Sequence, residues 1–317
     1  MIEFLQYIIS GIALGSVYAL VALGFVVIYK ASEIFNFAHG ELLTLGALMM
    51  IWLNAAPIDP TQSYGLGSSE IDGLGLPWGL ALLLSISFVG FIAAMIEKFA
   101  LRPLVGRPVF VPIIVTLFIG FLLRTIMILL WGTSSLSLST PWNPMSAFDI
   151  SGLMIDYNAG SVTLVTLIVL ATFFLILRYS RLGIAMRATA SDQETSMALG
   201  IPIAKVFAMT WFIAGSFAAL GGIFIAIREP SIDAATTSFV AFRAFPAVIV
   251  GGLESPLGAV IAGILMGVLE VLTQGYINDS FGELSKNFHM VFPYMVMILV
   301  LIVKPYGLFG QKKVQRL

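Results

Sequence analysis

The chain has 317 residues, 59% of them hydrophobic and only 10% charged, against roughly a quarter charged in an ordinary soluble domain. Its 16 basic and 17 acidic side chains are too few to cover a water-soluble body of this size, so lipid is the expected solvent. A net charge of −1, with the basic residues in short separate groups, argues against a nucleic-acid face, and the lack of cysteine excludes a disulfide framework, thiolate catalysis and thiolate-held metal.

From the N-terminus, residues 4–29 form one apolar stretch. Glu3 precedes it, no basic region leads it and no small-residue cleavage site ends it, so it does not read as a cleavable signal. Crossing roughly 30 Å of hydrocarbon takes about 20 residues of helix. Residues 4–29, 78–96, 111–131, 161–177 and 205–227 meet that length, and 41–53, 241–272 with a break inside it, and 288–303 with Pro293 in it are shorter or interrupted candidates. The expected fold class is therefore an all-α polytopic membrane protein. It has one transmembrane domain over residues 1–317, eight or nine passes, and a cytoplasmic loop at 178–205.

Short loops rich in Lys and Arg stay on the cytoplasmic side. Three basic clusters mark that side: Lys98, Arg102 and Arg107; Arg178, Arg181, Arg187 and Lys205; and Lys304, Lys312, Lys313 and Arg316. Residues 54–77 and 132–160 hold no Lys or Arg but carry Asp59, Glu70, Asp72, Asp149 and Asp156, and so face outward. Counting passes places the N-terminus outside and the C-terminus in the cytoplasm, provided that residues 241–272 cross an even number of times or turn back.

Two stretches interrupt the helical pattern: Asn36 through His39 to Glu41, and Gly251, Gly252, Leu253, Glu254, Ser255 and Pro256 through Gly258. Backbone leaves a helix at membrane depth only where protein or a polar cavity satisfies its amides and carbonyls. Paired broken helices in oppositely directed halves point to an inverted repeat with the solute route between the halves. Asn36, His39, Glu41, Gly251, Gly252, Glu254 and Pro256 are thus the candidates for that route. His39 reads equally well as a capping or packing residue bonded to freed backbone. Gly11 with Gly15, and Gly263 with Gly267, have the spacing at which two helix backbones meet, in a bundle or in a dimer.

Other charges near the spans have local explanations. Arg124, two turns from the outer end of its span, is expected to snorkel to the interface. Glu270 lies late enough to reach the interface too, and Arg243, Lys286 and His289 read as interface anchors. No HExxH, GxSxG or paired intramembrane aspartates occur, and the two histidines stand 250 residues apart, which leaves no catalytic or metal site to name.

The loop at 178–205 reads RYSRLGIAMRATASDQETSMALGIPIAK. An Ala- and Met-rich stretch from Arg187 to Leu199 is expected to form one short rigid helix, capped by Ser191 with Glu194 and ended by Gly200 and Pro202. This loop, the NFAHGE stretch at 36–41, and the AFPAVIVGG and PLGAVIAG stretches at 244–252 and 256–263 resemble the LivH-type permease subunits of branched-chain amino-acid ABC importers. The resemblance covers nearly the whole chain. It implies that the loop is a coupling helix docked on a separate ATPase, with Arg187, Asp192, Ala198, Gly200 and Ile201 on the family pattern and Glu194 beside them. Thr195, Ser196 and Met197 stand where the family is more Ala-rich.

The resemblance also implies import of branched-chain or other neutral amino acids across the inner membrane. The partners would be a second related permease, two cytoplasmic ATPase subunits that bind ATP and Mg, and a periplasmic or extracellular solute-binding protein. None of the seven lysines follows a Gly, so no phosphate-cradling GxxxxGK[ST] loop exists, and ATP has to be hydrolysed elsewhere. Glu254 departs from the family, in which this position is small, and a carboxylate here favours solutes that carry an ammonium or amide donor. A urea or short-amide permease of the same family and an ion-coupled secondary transporter are the alternatives. The second has no use for a coupling helix.

Overall fold

A computed structural model describes residues 2–57, 72–104, 106–108, 110–143, 146–150, 152–277 and 287–310. Asp59, Glu70, Lys286, Lys312, Lys313 and Arg316 lie outside the described residues. In chain order come α1 (Ile2–Ser32), α2 (His39–Asn54), α3 (Trp78–Ile96), α4 (Phe110–Trp131), β1 (Ala147–Ile150) and β2 (Leu153–Asp156). Then follow α5 (Tyr157–Tyr179), α6 (Arg181–Ser191), α7 (Gln193–Ala198), α8 (Ile203–Arg228), α9 (Val240–Arg243), α10 (Phe245–Gly251), α11 (Pro256–Tyr276) and α12 (Phe288–Val303). A π turn (Glu97–Leu101) and a 3-10 turn (Arg102–Leu104) prolong α3, and a 3-10 turn (Thr237–Phe239) leads into α9.

Six of the described helices are long and apolar enough to cross a membrane: α1, α3 with its turns, α4, α5, α8 and α11. Their burial separates a central from an outer kind, with α11 intermediate at 56%. α1 and α8 have 89% and 83% of their apolar windows inside the protein, while α3, α4 and α5 have only 17% to 28%. Helices apolar all round form the centre, and the outer ring turns Leu83, Phe118, Leu129 and Leu167 outward. Such a surface suits hydrocarbon and not water.

Small residues position the central helices. α1 and α11 run antiparallel with backbones in contact: a Cβ at Gly11 would stand 2.6 Å from Val268 Cα, one at Gly15 2.6 Å from Ile264 Cα, and one at Gly263 2.6 Å from Ala19 Cα. The two small-residue pairs noted in the sequence therefore face one another within this chain, as a bundle seam. α8 also runs antiparallel to α1, with Gly24 against Ala214 and Gly221 against Val21.

The two ends of the bundle differ in structure. One carries the two-stranded antiparallel hairpin β1–β2, paired from Ala147 with Asp156 to Ile150 with Leu153. The period-2 signal of four-residue strands is too short to stand out in a 29-residue polar connection, and helical spans dominate the sequence pattern. The other end carries α6 and α7. One continuous helix from Arg187 to Leu199 does not form: Asp192 is extended, at φ −159° and ψ 112°, and separates α6 from α7. Ser180 caps α6 by accepting from the Gly183 amide at 3.0 Å. Asp192, in place of Ser191, caps α7 by accepting from the Thr195 amide at 3.0 Å. Asp is as strong a cap as Ser, and Thr195 adds a hydroxyl bond to it at 2.6 Å, which the Ser191 and Glu194 pairing lacks.

Candidate functional site

Backbone does leave the helix at both sequence breaks. α1 ends as Glu33 turns left-handed, φ 55°, at a position usually given to Gly or Asn. Residues 33–38 then run beside α4, where the Phe37 amide donates to Thr116 Oγ1 at 3.3 Å. Asn36 Oδ1 accepts from the Ala38 amide at 3.1 Å and leads the chain into α2.

His39 opens α2 wholly buried, its ring tilted against that of Phe25 with centroids 4.3 Å apart and lodged against Gly24. The ring also approaches the Val21 carbonyl of α1, so His39 acts as a packing residue held against helix backbone. The Nδ2 of Asn36 and the Oε2 of Glu41 are buried without partners. Three polar side chains of one six-residue stretch are thus buried together inside the protein.

The other oxygen of Glu41 is engaged. Arg124 of α4 donates to Glu41 Oε1 from Nε at 3.1 Å and Nη2 at 2.5 Å. The same Nη2 donates to Ser238 Oγ at 2.7 Å, and the guanidinium lies over the Phe239 ring at 5.1 Å. Arg124 therefore turns inward and does not snorkel: an ionised partner, a hydroxyl and an aromatic face compensate its desolvation where the snorkelling argument assumed none. Gly40 packs against the Ser238 carbonyl and Ala241, and Phe25 and Phe35 meet Phe245. The first break is thus docked on the segment that leads into the second.

At the second break Gly252 adopts φ 95° and Ser255 caps α11, accepting from the Gly258 amide at 3.1 Å, with Pro256 in the first turn. The chain after α12 packs on this bend: the Leu308 amide donates to the Val250 carbonyl at 2.8 Å, Gly307 and Gly310 meet Gly252, and Gly251 meets Gly258. Glu254, Ser255 and Pro256 line a cavity of about 470 Å³ with Lys30 at the end of α1, Phe173, Phe174 and Leu177 of α5, and Arg187 of α6. The candidate route residues thus fall in two neighbourhoods. Asn36, His39 and Glu41 sit with Arg124 and Ser238, and Glu254 and Pro256 sit beside the loop.

The loop residues also divide. Arg187 reaches back to the end of α5 and donates to the Leu177 and Arg178 carbonyls, groups that a helix C-terminus leaves open. Asp192 is spent on its cap, and the Thr195 hydroxyl and amide hold its carboxyl below the usual carboxylate range. Glu194, Ala198 and Gly200 are exposed and Ile201 is half-buried. Between them Met197 and Leu199 present 57% and 75% of their surface, an apolar knob at the end of the bundle that also carries Arg181 and Arg187. Gln193 Nε2 donates to the Ala31 carbonyl at 3.2 Å and ties α7 to the end of α1.

A further charged group that the sequence assigns to the interface lies inside the bundle. Glu270 is buried and does not reach an interface; its Oε2 accepts from the Tyr18 hydroxyl at 2.8 Å, with Arg228 and Arg243 within electrostatic reach. Arg243 is half-buried beside Met290 Sδ at 3.7 Å, and His289 is buried near it, so these two face the bundle and are not plain interface anchors. The signal available was opposite charges inside apolar spans. Separations such as 252 residues hid which would meet.

A central antiparallel core, a lipid-suited outer ring and two interrupted helices make this a polytopic helical membrane protein of the permease class. The profile described as "Branched-chain amino acid transport system / permease component" matches residues 7–301, and the chain belongs to that family. It is 30% identical over 325 residues to the high-affinity branched-chain amino acid transport system permease protein LivH of Salmonella typhimurium, covering 99% of this chain and 97% of that one. It is 29% identical over 317 residues to the corresponding protein BraD of Pseudomonas aeruginosa, covering 99% and 98%. A probable LivH of Methanocaldococcus jannaschii is 27% identical over 309 residues, covering 94% and 90%. No solved structure gives a significant match.

Proposed function

We propose that this chain is the permease subunit of an ATP-driven importer that passes branched-chain or other neutral amino acids into the cytoplasm. The observation that carries the reading is the end-to-end likeness to permease proteins named for branched-chain amino acid transport. The urea, short-amide and ion-coupled alternatives have no relative among these to support them.

In this reading the knob of Met197 and Leu199 docks on an ATPase, with Glu194, Ala198 and Gly200 around it. Arg187, Asp192 and Ile201 hold the knob's geometry from within. Movement there would reach α1 through the bond from Gln193 to Ala31, and α1 leads directly into the first break. ATP and Mg belong to two cytoplasmic ATPase subunits. A second related permease completes the membrane part, and a solute-binding protein delivers from outside.

The membrane reading follows the same frame. Nine crossings are made by α1, α2, α3, α4, α5, α8, the segment Thr237–Gly251, α11 and α12, with the N-terminus outside and the C-terminus in the cytoplasm of an inner-membrane protein. Positive charge gathers with Lys98, Arg102, Arg181 and Lys304 on the cytoplasmic side, and the β hairpin faces out. The antiparallel α1 and α8 open the two halves of an inverted repeat, and the docking of the first break against Ser238 and Phe245 is the inter-half contact through which the solute would pass. Asn36, His39 and Glu41, with Gly251 and Gly252 at the bend, would line that route, while Glu254 and Pro256 border the cavity beside the loop.

Reconstitution of the chain with its ATPases, companion permease and binding protein tests this. ATP-dependent accumulation of leucine is expected, and it should stop when the ATPases are inactivated or residues 193–201 are deleted. Leucine accumulation that persists under either change, driven by an ion gradient alone, would establish a secondary transporter instead.

A further inference from the structure

The cavity beside the loop has chemistry that a passage alone does not require. At about 470 Å³ it lies within the range of small-molecule sites, roughly 300–1,000 Å³. Phe173, Phe174 and Leu177 with Val27 make one wall apolar, and Lys30, Arg187, Glu33 and Glu254 bring charges of both signs to it. Lys30 is within electrostatic reach of both Glu254 and Arg187.

An anion would meet two carboxylates, and urea would leave the aromatic wall unused. An α-amino acid with an apolar side chain matches every part: its carboxylate faces Lys30 and Arg187, its ammonium faces the glutamates, and its side chain lies on the phenylalanines. Arg187 belongs to α6 and Glu254 to the bend before α11, so a ligand held by both cross-links the loop to the bend.

We propose that this cavity is a cytoplasm-facing site for a zwitterionic, apolar amino acid, whose occupancy holds α6 to the bend and slows import as the solute accumulates. The inference rests on the permease reading above. Initial rates of leucine uptake by the whole assembly are measured in vesicles preloaded with leucine, glutamate or urea, or left empty. Internal leucine should slow uptake several-fold and the other two should not. Lys30→Gln should take up leucine normally from empty vesicles but need about tenfold more internal leucine for the same slowing, the loss of one charge contact. Lys30→Arg should behave as the unaltered chain.

Uptake indifferent to internal leucine, or slowed equally by all three solutes, overturns the proposal while leaving the permease reading intact. Lys30→Gln that lowers uptake from empty vesicles marks the cavity as part of the route and overturns the regulatory role. Failure of the unaltered assembly to take up any leucine removes the permease reading and this inference with it.

Discussion

Arg124 and Glu41 form a pair in which both partners are largely withdrawn from solvent, the Glu41 side chain 8% exposed and the Arg124 side chain 22%. Removing one partner of such a pair leaves an uncompensated buried charge, worth about 3 kcal/mol or more. Arg124→Ala should therefore lower the thermal stability of the detergent-purified protein substantially. Arg124→Ala with Glu41→Gln should recover part of the loss, because the residual charge is gone. Equal melting temperatures for the unaltered and singly substituted chains would show that the pair does not clasp α4 to the first break. The sequence contained both residues in apolar surroundings but assigned Arg124 to the interface. A helical position fixes depth, and only the neighbour on α2 decides which way a long side chain points.

At the scale of elements, the seam between α1 and α11 depends on the absence of side chains. Gly267 packs directly against the backbone of Gly15, and no rotamer adjustment can relieve a clash between two backbones. Gly267→Val should cost more than about 2 kcal/mol, as overpacking of a close contact does, and should reduce the yield of folded protein in membranes. Gly106→Val, at a turn with open space around it but φ 84°, should cost less. Similar yields for both variants would contradict the seam. The small-residue spacing was legible in advance, and so were Gly200 as a stop signal and the bend at Gly252, because each reflects a local backbone demand. The split of the loop into α6 and α7 was not. Ser191 and Asp192 are both competent caps, and the choice between them is made by Thr195 and by the docking of Gln193 on Ala31.

Taken as a whole, the molecule buries α1 and α8 and leaves the outer faces of α3, α4 and α5 apolar and exposed. The chain contains no cysteine, so single cysteines can report which end faces which compartment. Phe148→Cys on the hairpin should react in intact cells with a membrane-impermeant maleimide, while Met197→Cys on the loop should react only after the membrane is opened. The opposite pattern would reverse the orientation and remove the ATPase from the loop.

Composition alone determined that this chain dissolves in lipid, because no arrangement can cover a water-soluble body of this size with so few charges. Run length and basic clusters then set most of the spans and their expected direction, since both are properties of consecutive residues. Tertiary structure decided the rest: that Glu41 meets Arg124, that Tyr18 meets Glu270, and that Lys30, Arg187 and Glu254 share one cavity. These partners come from helices far apart in the chain, and an apolar span looks the same in sequence whether its single charge faces lipid, a neighbour or a cavity.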